Sequence, residues 1–132
     1  MAIVGTPFTT ATALLARGEA MYKENDDCIG FAAAVYGLPR EGFLTSLLNK
    51  QGFYLIDIVR KQLPISLLLP GDIFLFMPHP NIVHQTHVAL YLEGEFLLSK
   101  FGMEPGLVSD TFLAHTEYYE PTYTLILRRE EK

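Results

Sequence analysis

Cysteine occurs once in the 132 residues, at position 28. A lone thiol excludes an internal disulfide framework and a zinc site built mainly from thiolates. Basic side chains are also scarce: 10 Lys and Arg stand against 15 Asp and Glu, a formal net charge of -5. That balance works against a phosphate-neutralising surface, so nucleic acid is not an expected partner. No apolar run approaches the roughly 20 residues of a membrane-spanning helix, and the N-terminus lacks a basic patch leading into an uninterrupted apolar core. A soluble product with no cleaved export signal is expected. Internal repeats, low-complexity tracts and linkers are missing, and no Gly-x-x-x-x-Gly-Lys loop opens a helix, which leaves nucleotide hydrolysis unsupported. Apolar side chains are plentiful. With 49% hydrophobic and 19% charged residues, the chain reads as one domain over residues 1–132 with a sizeable core of its own.

The first third has helical texture. From Thr10 to Met21, residues Ala11, Leu14, Leu15 and Ala20 fall mostly on one stripe, with Thr9 or Thr10 as N-cap. After the polar break Lys23 to Asp27, the Ala-rich run Cys28 to Tyr36 predicts a buried helix that stops at Gly37-Leu38-Pro39. Two shorter helices are predicted over Gly42 to Asn49 and Leu55 to Gln62, the second ended by Leu63-Pro64. From Leu69 onward short β-rich runs take over: Ile73 to Met77, His87 to Leu92, Phe96 to Ser99 and Tyr123 to Leu127. Glu93-Gly94 marks a hairpin, Pro78 to Asn81 a polar loop, and Arg128 to Lys132 a charged tail expected to fray. Helices first and strands afterwards predict an α+β domain, with N-terminal helices packed on an antiparallel sheet.

The thiol is the first candidate for chemistry. Asp26 or Asp27 can cap the helix that Cys28 begins, and unpaired backbone N–H groups in a first turn favour a thiolate, although the acidic neighbours oppose it. A free cysteine on an Ala-rich helix also reads as core filler. Alternation along His87 to Leu92 places His87, Ala89 and Tyr91 on one sheet face. If the Cys28 helix packs on that face, a thiol–imidazole pair results, able to take a proton from sulfur and return it to a leaving amine. His79 and His84 in the preceding loop are alternative bases, and His115 is a more distant one. The same histidines make a poor metal site, having no nearby carboxylate and no thiolate at matching spacing, so no metal or other cofactor is expected. Asp72, in a Pro-Gly-Asp turn, is expected to bond local backbone. Phe74, Phe76, Phe96 and Phe101 read as core and cleft wall.

Three segments in order carry a resemblance: Asp27-Cys28-Ile29-Gly30-Phe31, then Leu69-Pro70-Gly71-Asp72-Ile73, then His87-Val88-Ala89-Leu90-Tyr91-Leu92. Together they resemble the NlpC-type papain-like cysteine peptidases, many of which cut bacterial cell-wall peptides. Members typically show Asp-Cys-Ser-Gly-Phe, Leu-x-Pro-Gly-Asp before a strand, and His-Val-Gly-Ile-Tyr on the next strand. The likeness implies a papain-like fold, Cys28 as nucleophile and His87 as general base and acid. The family's polar third residue, about a dozen positions after the histidine, corresponds to Ser99, a weaker orienter than a carboxylate or amide; the Lys100 that follows cannot accept a bond when protonated. Ile29 replaces the usual serine after the cysteine. Tyr22 resembles the tyrosine that several relatives place near the oxyanion, and it reads equally as an ordinary tyrosine on the helix flank.

The resemblance implies a thiol hydrolase acting on a peptide of cell-wall character through an acyl-enzyme. Without a signal peptide, its substrate is either cytoplasmic or reached by a specialised secretion route. Two rival readings use the same residues: a non-catalytic module that keeps a papain-like cleft, and a cytoplasmic acyltransferase or deamidase using the same Cys28 and His87 pair.

Overall fold

The computed structural model describes residues 8–78, 86–101 and 106–130. Helix α1 (Ala11–Met21) starts where Thr10 accepts a hydrogen bond from the Ala13 N–H. Helix α2 (Cys28–Val35) starts at Asp27, whose carboxylate accepts from the Gly30 N–H at 2.8 Å. A short α3 (Phe43–Leu48) follows. Six strands then form one antiparallel sheet: β1 (Phe53–Val59), β2 (Ile73–Met77), β3 (His87–Glu93), β4 (Phe96–Ser99), β5 (Val108–Thr111) and β6 (Tyr123–Arg129). Their spatial order is β1-β6-β2-β3-β4-β5. Helix α4 (Phe112–Tyr119) leaves β5 under a Thr111 cap. The domain is α+β, as its sequence predicts.

The predicted helix over Leu55 to Gln62 is instead strand β1. A bulge between Leu55 and Asp57 breaks strict alternation there, so apolar residues 55, 56, 58 and 59 imitate a helical stripe. Ile56, Ile58 and Val59 are β-branched and settle more readily in a strand paired along its length with β6. The charged tail does not fray at its start. Arg128 lies in β6 and grips the fully buried Asp72 carboxylate through Nε at 2.8 Å and Nη2 at 2.7 Å. Asp72 also accepts from the Leu69 N–H at 2.8 Å, the local backbone bond expected of it. Strand β5 and helix α4 carry no strong sequence signal.

The two faces of the sheet bury different things. Val88, Leu90 and Leu92 of β3, with Ile73 and Leu75 of β2, pack under Phe31, Ala32 and Val35 of α2 and Leu14 of α1. On the opposite face Ala89, Tyr91, Phe74, Phe76 and Ile126 pack with Phe112 of α4. Each face removes a continuous apolar layer from water, worth about 1.5–3 kcal/mol for each fully buried large side chain before entropy is counted.

Candidate active site

Cys28 occupies the first position of α2, and at 7% exposure it is nearly closed off from solvent. Gly30 leaves room at this terminus: a Cβ there would sit 2.7 Å from the Asp26 carboxylate and 3.3 Å from that of Asp27. Arg40 clamps Asp27 through Nε at 3.1 Å and through Nη2. Burial works against the Asp27 charge, but the guanidinium and the Gly30 N–H outweigh it and hold the carboxyl below its usual range. The backbone N–H groups of Val88, Ile29 and Cys28 itself face the sulfur and favour its anion. Burial is the larger influence, and Asp27 adds to it, so the thiol is pushed up to about 11. At neutral pH the resting sulfur is protonated.

His87 begins β3 and is fully buried. Its ring lies on the α4 face, stacked on Tyr119 with centroids 3.9 Å apart and planes 15° apart. Phe101 meets it edge-on at 5.3 Å, and Phe76 and His115 lie at 5.6 and 5.8 Å. Among the described residues neither ring nitrogen has a hydrogen-bond partner. Burial, reinforced by His115, holds this imidazole well below its ordinary value, so it is neutral.

The packing corrects one expectation. The Cys28 helix covers the opposite face from His87, because Val88, Leu90 and Leu92 form the larger apolar set and draw Phe31, Ala32 and Val35 onto themselves. The thiol and imidazole are nevertheless neighbours in the backbone. Val88, whose N–H faces the sulfur, is bonded directly to His87, so the sulfur lies near the peptide that follows His87. Tyr119 feels both: its ring covers His87, and its hydroxyl is pushed above the usual range first by burial and then by the charge Cys28 would carry.

Ser99 does not orient His87. Its hydroxyl meets His115 Nε2 at 3.1 Å, and His115 Nδ1 lies 2.8 Å from the Thr111 carbonyl. A carbonyl only accepts, so Nδ1 carries the proton and Nε2 accepts from Ser99. Burial lowers the His115 value, opposed by the Thr111 bond and by Asp110. The serine is therefore committed to a histidine that sequence spacing makes remote and that α4 brings onto the His87 face. Tyr22 ends α1, where its hydroxyl accepts from the Gly106 N–H at 2.6 Å, a bond that does not use its own proton. Lys100 is fully buried beside Ser99. Phe74 and Phe76 are core and Phe101 walls the His87 cluster, but Phe96 is 46% exposed. His79 and His84 lie outside the described residues.

Among the described residues no three His, Cys, Asp or Glu side chains converge as metal ligands, and no helix is long and apolar enough to cross a membrane. Comparison with protein-family models gives no match, and comparison with curated proteins gives none either.

Proposed function

We propose that this chain is a papain-like cysteine hydrolase of NlpC type that cleaves an amide bond through a thioester on Cys28. One observation carries the reading: a helix-terminal sulfur, faced by three backbone N–H groups, lies near the peptide that follows a neutral histidine whose nitrogens have no partner among the described residues. His87, turned toward the sulfur, accepts the thiol proton as sulfur attacks the substrate carbonyl. The Cys28 N–H and the Tyr22 hydroxyl can donate to the oxyanion as it develops. The imidazolium then protonates the leaving amine. Water, deprotonated by the same ring, releases the acid and restores the thiol. Because both groups rest neutral, proton transfer accompanies attack and no ion pair is stored beforehand. The sequence resemblance supports a cell-wall-type peptide as substrate.

A panel of purified cell-wall peptides and simple peptides, incubated with the protein and analysed by mass spectrometry after an acid quench, tests this. New amine and carboxylate products, with a transient acyl group on the Cys28-bearing peptide, are the expected result. Peptides that bind without turnover, and no acyl group on Cys28, would sink it.

A second reading has an observation of its own. The protonated thiol, an imidazole with no bond to it, and a Ser99 already tied to His115 also suit a non-catalytic peptide-binding module. The same experiment separates the two.

A further inference from the structure

The cluster on the α4 face contains a contact that the proposed hydrolysis does not use. Among the described residues the His87 ring is held by a stack and not by hydrogen bonds: Tyr119 lies nearly parallel to it at 3.9 Å, while Ser99, its expected orienter, is spoken for by His115. Tyr119 is the last residue of α4, and the next residue, Glu120, adopts a left-handed conformation at φ 46°. Its neighbour Tyr118 packs against both Phe101 and Tyr119, with ring centroids at 5.0 and 4.8 Å, yet is 65% exposed. The residue covering the histidine therefore sits at a helix end, beside an exposed aromatic ring that a peptide arriving from solvent can reach. Helix ends are also where local opening is easiest.

We infer that Tyr119 is a positioning residue that holds the His87 ring out of hydrogen bonding with the Cys28 sulfur, so that the pair assembles only when this stack opens. The inference rests on the hydrolase reading above and adds to it the step that arms the site. The sulfur lies near the Val88 peptide that follows His87, so a ring released from the stack has only to turn toward that end of its own strand. Among the described residues the groups set around the ring are His115 and Tyr119 from α4, Phe76 from β2, and Phe101 beyond β4, with Cys28 of α2 near enough to act electrostatically on the Tyr119 hydroxyl. None of these is a carboxylate that would hold an imidazolium in the resting position. A peptide that displaces the tyrosine would free the ring, so substrate binding and arming are one event.

Carbamidomethylation of Cys28 by iodoacetamide at neutral pH, followed by intact-protein mass spectrometry, tests the inference in the full chain. Tyr119→Phe keeps the flat face and should retain the slow labelling of the parent. Tyr119→Ala should label at least about tenfold faster, the gain in thiolate that one unit of thiol pKa gives. Adding His87→Ala to Tyr119→Ala should return the rate to that of His87→Ala alone. Should Tyr119→Ala lose its native circular dichroism, Tyr119→Leu keeps apolar volume without a stacking face and should show the same acceleration. Labelling no faster in either variant overturns the inference. So does an acceleration that survives His87→Ala, because opening the sulfur to solvent would then explain it. Peptide products that require Cys28, combined with labelling indifferent to Tyr119, would remove this step alone; absence of products removes the hydrolase reading beneath it.

Discussion

Acidification from about pH 7 to about pH 5 is expected to destabilise this fold through His87, with His115 adding in the same direction. Both imidazoles are fully buried and both are held below their ordinary values, chiefly by burial. A ring whose folded value is depressed binds its proton more readily once the chain unfolds. Its contribution is whole above the unfolded value of about 6.5 and is lost as the pH falls from there toward the folded value, at up to about 1.4 kcal/mol per pH unit. Urea unfolding at the two pH values measures it. His87→Phe, which keeps an aromatic ring under Tyr119 and cannot titrate, should reduce the pH dependence by the His87 share. An unchanged dependence would mean that His87 reaches water in the native state.

The second large effect concerns activity. Cys28→Ser should lower turnover of any peptide that the protein cleaves by on the order of 10⁴-fold or more, as removal of a nucleophile does elsewhere. Serine is nearly the same size, and the Val88 N–H that faces the sulfur can donate to a hydroxyl, so the fold should be little affected. Oxygen is much the harder atom to deprotonate, and a neutral imidazole with no hydrogen-bond partner among the described residues offers little help. Loss of turnover at unchanged urea midpoint is the expected pattern. Retained turnover would move the chemistry away from residue 28.

Much of the architecture is legible before any coordinates. The Thr10 and Asp27 caps, the Gly37-Leu38-Pro39 stop and the runs at Ile73, His87 and Phe96 each combine a local signal with a tertiary outcome that agrees with it. Strand β1 escapes because its bulge turns alternation into false helical spacing. Helix α4 escapes because Phe112–Tyr119 is short and weakly patterned, and its place is decided by the apolar face it covers. The candidate site divides in the same way. Cys28 and His87 are visible from the elements they begin. Their relation is not, since which sheet face a helix takes depends on the competition between Val88, Leu90 and Leu92 on one side and Ala89 and Tyr91 on the other. His115 and Tyr119 reach the His87 ring through a helix that sequence pattern does not reveal, and with them go the partner of Ser99 and the stack on the imidazole.

Cooperation between the Cys28 sulfur and the His87 ring is the central claim, and p-nitrophenyl acetate tests it without knowledge of the natural substrate. Acetylation of Cys28 and hydrolysis of the resulting thioester should both slow by about 10²-fold or more in His87→Ala, the lower range of general acid–base assistance. Identical rates for the two steps with and without the imidazole would contradict the account.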